Sequence, residues 1–269
     1  MEQKVVLITG GSSGIGKSIG IFLKSKGFKV YGTTRSKIKY PDFDAFDLLE
    51  LDVKKEETIT AAILELIKRE GRIDVLVNNA GIGITGPIEE TPNAEIVKAF
   101  DTNFHGPIRM IKAVLPQMRI QKSGLVINIT SIAGFMGLPY RGIYSATKGA
   151  LELVTEAMRM EIKDFGVQMT NLAPGDFATN IASGRYHAPV IKDSPYEKPY
   201  RTTLDAINND VDSGGNPMQV AHKVFAIINK ANPKVHYKVG DFMQKFSLLL
   251  KNILPDKVYE KLLINHYKL

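Results

Sequence analysis

KVVLITGGSSGIG, residues 4–16, decides how the rest of the chain is read. The run KVVLIT (4–9) is rich in β-branched side chains and leads straight into a glycine-rich turn; helical periodicity then starts at Ile15 and lasts to about Lys26. A strand, a glycine turn and a helix start in that order make an anion site. Gly10 permits a tight turn, Gly14 lets the backbone approach a pyrophosphate, and Gly16 allows close contact between helix and strand. The helix N-terminus aims unpaired N–H groups and the positive end of its dipole at the phosphates. An isolated glycine turn is a weak signal. Its place between the first strand and the first helix is what points to a dinucleotide.

Working outward, the same rhythm continues from Lys4 to about Val239. Strands are predicted at 29–34, 48–53, 73–79, 125–131 and 167–173, with a weaker one at 235–239, and helical segments at Glu57 to Arg69, Ile96 to Gln121 and Tyr144 to Phe165. Nearly continuous apolar strands separated by helices indicate a parallel sheet covered on both faces. The expected fold is therefore α/β: one Rossmann-type doubly wound domain over residues 1–269, with a parallel sheet of about seven strands. Two stretches depart from the rhythm. Residues 180–216 are rich in Tyr, Pro, Asp and Asn without clear periodicity, and are expected to form a substrate lid. Residues 240–269 are expected to form a helical extension, with Phe242, Phe246, Leu249, Leu250 and Ile253 on one stripe and Pro255 breaking it. That stripe suits packing on the domain or a sister subunit, or peripheral contact with a membrane.

Composition narrows the function. With no Cys, disulfides, thiolate nucleophiles and Cys-ligated zinc are excluded, and a reducing, cytoplasmic compartment is expected. The apolar run before the glycines is too short for a signal peptide, and no stretch is long enough to span a membrane. The formal charge of +7 is dispersed along the chain, so no nucleic-acid partner is expected. The His residues are too scattered to read as metal ligands, and no metal is expected.

The second predicted strand ends Thr33-Thr34-Arg35, where NAD selectivity usually needs an acid for the ribose 2′-hydroxyl. A carboxylate there would repel a 2′-phosphate, whereas a guanidinium can hold it in two charge-assisted bonds. Thr34, Arg35 and Ser36 therefore favour NADP(H) over NAD(H).

YSATK, residues 144–148, places a phenol one helical turn ahead of an ammonium. A free tyrosine is a poor base near neutrality, and a nearby cation favours its phenolate. Side chains at i and i+4 are neighbours on a helix, so Lys148 can act on Tyr144 without touching substrate. Tyr144 then becomes a general acid/base for a carbonyl that accepts hydride.

With the spacing GxxxGxG, followed by Asp52, Asn78-Asn79-Ala80-Gly81, Asn103, Ser131, Tyr144, Lys148 and Pro174-Gly175 with Thr179, the chain resembles the short-chain dehydrogenase/reductase family. Its C-terminal extension is closer to the hydroxysteroid and retinol dehydrogenase-like branch than to the fatty-acid-synthesis reductases. The resemblance implies a catalytic set of Asn103, Ser131, Tyr144 and Lys148. Ser131 would stabilise the substrate oxygen, Lys148 would hold the nicotinamide ribose, and Asn103 would anchor a water linking Lys148 to solvent. It also implies a cofactor-binding set: Gly10, Ser12, Ser13, Gly14, Ile15 and Gly16 in the turn; Thr34, Arg35, Ser36, Asp52 and Val53 at the adenosine end; and Asn79, Ala80, Gly81, Tyr144, Lys148, Pro174, Gly175, Phe177 and Thr179 towards the nicotinamide.

The expected activity is interconversion of a ketone or aldehyde with an alcohol on a lipophilic, steroid-, retinoid- or fatty-type substrate. Phe135, Met136 and Leu138, with Phe177, Ile181, Tyr186, Tyr196 and Tyr200, are candidate pocket residues or else loop residues packed on the domain. By resemblance, helices around Asn103 and Tyr144 would build a homodimer or homotetramer. The competing readings are a 3-oxoacyl-carrier-type reductase, a sugar-nucleotide epimerase, and a non-catalytic NADP-binding sensor or scaffold. The glycine spacing speaks against the epimerase, and the intact catalytic set against the sensor.

Overall fold

Val5–Ile8 forms the first strand, β1, and all four of its residues are buried. Val5 and Leu7 pack into one hydrophobic layer while Val6 and Ile8 pack into the other, the alternation a strand covered on both faces must show. The computed structural model describes residues 3–177, 184–212 and 214–269. In chain order the elements after β1 are α1 (Gly14–Ser25), β2 (Lys29–Thr34), β3 (Asp47–Glu50), α2 (Glu56–Glu70), β4 (Val75–Asn78), β5 (Ile84–Thr85), α3 (Asn93–Phe100), α4 (Gly106–Gln121), β6 (Gly124–Ile129) and α5 (Gly142–Glu161). They continue with β7 (Val167–Pro174), β8 (Tyr186–His187), α6 (Glu197–Asp212), α7 (Met218–Ile228), β9 (His236–Val239), α8 (Phe242–Ile253) and α9 (Asp256–Tyr267).

Seven strands make one sheet in the order β3-β2-β1-β4-β6-β7-β9, and every pairing in it is parallel. This is the Rossmann-like α/β architecture expected from the sequence. The strand order reverses direction between β1 and β4. In such sheets the crevice beyond the carboxyl ends of these strands is where ligands sit. Ile59, Leu66, Met110 and Val114 from α2 and α4 cover one face, and Ile19, Leu23, Val220 and Val224 from α1 and α7 cover the other.

Two local features differ from the sequence reading, and a third decides between its alternatives. The segment Ile96 to Gln121 is not one regular helix, because residues Asp101–His105 form a wider π-helical turn between α3 and α4. The stretch that shows no periodicity in sequence contains β8, which pairs with β5, and the 16-residue α6. Tyr200 ties α6 down by donating to the carbonyls of Thr85 and Ala188 at 3.2 and 3.0 Å. Finally, Phe135, Met136 and Leu138 do not line the pocket beside Ser131. They pack in a third hydrophobic cluster with Leu248 and Tyr259 of the C-terminal helices, and the Tyr259 hydroxyl reaches Met136 Sδ at 3.1 Å.

Candidate active site

The glycine turn leaves β1 at Thr9, whose hydroxyl accepts from the backbone N–H groups of Asn79 and Ala80 at 2.9 and 3.0 Å. Asn79 answers by donating its amide to the carbonyls of Thr9 and Gly10 at 2.9 and 3.2 Å. These bonds fix the ends of β1 and β4 to each other across the crevice. Gly14 opens α1 with φ of 51°, a left-handed conformation that suits glycine. A Cβ on Gly16 would lie 2.4 Å from the Gly10 carbonyl oxygen, so only glycine lets the helix come this close to the turn. The Ser13 side chain makes no capping bond to α1, which leaves that N-terminus free for an anion.

A groove runs outward from this turn. It is lined by Gly10, Ser12, Ser13, Gly14 and Ile15, by Thr34 and Arg35 at the end of β2, by Asp52 and Val53 after β3, and by Asn79, Ala80 and Gly81 after β4. Gly16 lies buried behind the turn, and Ser36 is not part of the groove lining, its backbone N and O meeting the Thr34 hydroxyl at 3.5 and 3.4 Å. Asp52 also holds its own loop, its Oδ1 accepting from Lys54 N at 3.0 Å. The uncapped helix, the close-packed glycine and a groove of this extent fit a dinucleotide.

Ile15, Asn79, Gly81 and Ile82 are shared with a second pocket, so the groove and the pocket form one cleft. Ser131, Tyr144, Lys148, Pro174, Gly175 and Phe177 meet in this second pocket, while Thr179 lies outside the described residues. Ser131 comes from the end of β6, where its Oγ accepts from Ala133 N at 3.2 Å and caps a short 3-10 turn. Tyr144 and Lys148 project from α5. The Lys148 ammonium sits 5.9 Å from the Tyr144 ring centre and donates to the Ile129 carbonyl at 3.0 Å. An ammonium has three donors, so two remain for other partners.

Asn103 lines neither part of the cleft. It stands behind, in the π-helical turn, with Oδ1 accepting from Ile82 N and Nδ2 donating to Ile82 O and Thr147 Oγ1. It is nevertheless close: a Cβ on Gly81 would lie 3.2 Å from Asn103 Oδ1 and 3.5 Å from Lys148 Nζ.

The structure adds residues that sequence reasoning missed. Tyr40, Lys54, Lys98 and Thr102 line the outer groove. Arg141, Asp176 and Arg185 line the catalytic end, and Gln244 of α8 rests against Gly175 and donates to Asp176 at 3.0 Å. Arg141 is the residue just before α5, and its guanidinium carbon lies 5.7 Å from the Tyr144 ring centre, a contact that no sequence spacing announces. Burial pushes the Arg185 guanidinium's pKa below its ordinary value, and the charge of Arg141 adds to that effect.

A doubly wound parallel sheet, a glycine turn at its switch point and a Ser–Tyr–Lys pocket continuous with that turn define a dinucleotide-dependent oxidoreductase. The chain belongs to the short-chain dehydrogenase/reductase family: residues 4–189 match the family described as short chain dehydrogenase. Its relatives include a 3-ketodihydrosphingosine reductase of Bacteroides thetaiotaomicron, 35% identical over 97% of this chain and 96% of the relative. Human 17-beta-hydroxysteroid dehydrogenase type 1 is 31% identical over 95% of this chain and 82% of its own length. Among solved structures, a short-chain dehydrogenase from Streptomyces avermitilis superposes with a TM-score of 0.83 at 30% identity, covering 99% of this chain and 97% of that one. ElxO with NADP bound superposes with a TM-score of 0.71 at 28% identity, over 88% and 97% of the two chains. The chain is thus an oxidoreductase of this family that interconverts carbonyl and alcohol with NAD(P).

Proposed function

We propose that the protein is an NADP(H)-dependent carbonyl reductase acting on a lipophilic ketone or aldehyde, with Tyr144 as general acid/base. One observation carries this reading: Ser131, Tyr144 and Lys148 line a pocket that continues into a groove ending at Arg35. A bound reduced nicotinamide supplies the hydride. Among the described residues Ser131 Oγ accepts only from a backbone N–H, so its own proton can point at the substrate oxygen and stabilise the charge that develops there. Tyr144 gives its phenolic proton to that oxygen. The Lys148 ammonium favours the phenolate left behind, held in place by its bond to Ile129. Asn103 keeps the Ile82 backbone in position beside Lys148 and leads proton supply towards solvent.

Arg35 at the groove and the absence of a carboxylate at the end of β2 support NADP(H), and ElxO, a neighbour in fold, is itself seen with NADP bound. The relatives that act on 3-ketodihydrosphingosine and steroids support a lipophilic substrate. Arg185, just before β8, lines the catalytic end, which supports reading the segment that holds β8 and α6 as the lid. A homo-oligomer is supported by Leu153 and Met160, which are 67% and 70% exposed on one face of α5; a monomer in sedimentation equilibrium would refute it. Peripheral membrane contact is supported by the exposed Phe242, Met243, Phe246, Leu249 and Ile253 of α8, and failure to co-sediment with anionic vesicles would refute it. No helix among the described residues is long and apolar enough to cross a membrane. A chain without Cys suits a reducing, cytoplasmic compartment.

The deciding experiment is Tyr144→Phe assayed for NADPH oxidation against a panel of hydrophobic ketones. Loss of turnover by roughly 100-fold or more with cofactor binding intact is the expected result. Unchanged turnover would remove Tyr144 from the chemistry, and an inactive wild type that still binds NADPH would favour the sensor reading.

A further inference from the structure

The catalytic pocket is more basic than its proposed chemistry requires. Arg141, Lys148 and Arg185 all line it, against a single carboxylate, Asp176. Lys148 is accounted for by Tyr144 and Ile129. The two arginines are not. Arg141 is only 12% exposed, its guanidinium carbon lies 5.7 Å from the Tyr144 ring centre, and its contact with Asp176 is a loose 3.7 Å. Asp176 already accepts from Gln244 at 3.0 Å. Arg185 is the more demanding case. Its Nη1 is buried with no hydrogen-bond partner among the described residues.

The fold makes room for this arginine. A Cβ on Gly83 would lie 2.8 Å from Arg185 Cγ and 2.9 Å from its Nε, so the side chain passes through the space that a larger residue would fill. Pairing of β5 with β8 fixes the backbone on either side, with Tyr186 N donating to the Gly83 carbonyl at 3.0 Å. A guanidinium held in a pocket, short of partners and beside a second guanidinium, is an unfavourable arrangement until an anion joins it. Its planar fork suits a carboxylate or a phosphate in two parallel bonds.

We propose that the substrate carries an anionic group, a carboxylate or a phosphate, a few bonds from the reacting carbonyl, and that Arg185, assisted by Arg141, holds it beside Tyr144. The inference rests on the carbonyl-reductase reading of the same pocket and narrows it. It favours a fatty-type oxo acid over a neutral steroid ketone, and it disfavours a substrate whose carbonyl stands next to an ammonium. Phe135, Met136 and Leu138 pack away from this pocket, whose walls combine the two arginines with Ile82, Ile84, Ile129 and Phe177, a lining that suits an acyl chain bearing an anionic group.

The test uses the full chain with saturating NADPH and three ketones: a medium-chain 3-oxo fatty acid, its methyl ester, and 3-ketodihydrosphingosine. The wild type is expected to prefer acid to ester in kcat/KM by about 10- to 100-fold, the range for hydrogen bonds to a charged group. The amino ketone should be the poorest of the three. In Arg185→Gln the acid-over-ester ratio should collapse towards one, and Arg185→Lys should restore part of it, because charge returns without the fork. Calorimetric binding of acid and ester to the NADPH-bound protein gives a readout that does not need turnover. Acid preference in binding, lost in Arg185→Gln, upholds the anion site even if hydride transfer fails and the reductase reading falls. Equal use of acid and ester by an active wild type overturns the anion site and leaves the reductase reading standing. A variant that weakens NADPH binding while keeping the acid-over-ester ratio also overturns it, by assigning Arg185 to the cofactor's phosphates.

Discussion

The Asn103 side chain grips the backbone of Ile82 from both sides: Oδ1 accepts from Ile82 N at 2.8 Å and Nδ2 donates to Ile82 O at 2.9 Å. The pair is 21 residues apart in sequence, and it pins the loop after β4 to the π-helical turn between α3 and α4. The clasp needs one donor and one acceptor, which an amide supplies and a carboxylate does not. Asn103→Asp would set a carboxylate oxygen against the Ile82 carbonyl. The expected loss is about 2 kcal/mol of stability from two compromised buried bonds, together with a fall in kcat that exceeds any change in cofactor affinity. Thermal unfolding and steady-state kinetics on the same preparation check both; an unaltered melting temperature would show that the clasp is not formed in solution.

That clasp also shows where sequence reading stops. The inner strands of the main sheet were legible because β-branched runs such as Val5–Ile8 and Val75–Asn78 must be apolar on both faces, a demand the edge strands β3 and β9 do not meet. The glycine turn and the Tyr144–Lys148 pair were legible because their spacing is local. A π-helical turn leaves no mark on hydrophobic periodicity, so the 96–121 segment read as one helix. Helix α6 was invisible for a related reason. Its buried stripe is Tyr200, Thr203 and Ile207, spaced as a helix requires, but a threonine in the middle and polar residues around it hide the pattern. For Phe135, Met136 and Leu138 the sequence leaves pocket lining and packing on the domain both open, because their destination depends on α8 and α9, more than a hundred residues further on. Nothing near Arg185 in sequence announces that it enters the pocket.

Arg35 lines the outer groove from an exposed position at the end of β2. An exposed guanidinium gains little from a neutral hydroxyl but much from a 2′-phosphate that it can meet with two N–H groups. Arg35→Asp should raise the NADPH dissociation constant by roughly 10- to 100-fold, since a favourable charge contact becomes a repulsion. NADH affinity should change little or improve. Fluorescence titration with both cofactors reads the ratio, and parallel losses for the two would remove Arg35 from the choice of cofactor.

Glu152 is the buried carboxyl of α5 that organises the strand ends beside the catalytic pocket. It accepts from Thr130, the residue before Ser131, from Asn171 Nδ2 at 2.7 Å, and it meets His236 Nδ1 at 2.6 Å. His236 in turn reaches Glu156 at 3.0 Å. Burial raises the pKa of Glu152 above its ordinary value of 4.5, and the bonds from Thr130 and His236 offset this only in part. The folded state therefore holds a proton here more firmly than the unfolded chain does. By linkage, this group's contribution to stability is present in full below the ordinary carboxylate range and is lost as pH rises from there through the folded-state value. Glu152→Gln can keep the three contacts, its amide N–H donating to the Thr130 hydroxyl while its oxygen accepts from Asn171 and His236. The variant should gain stability relative to wild type as pH is raised from about 4 towards neutrality, across the interval that begins at the ordinary carboxyl value. Urea unfolding of both proteins at several pH values measures the difference. A difference that stays constant, or that runs the other way, would mean that the fold does not hold the Glu152 proton more firmly than the unfolded chain does.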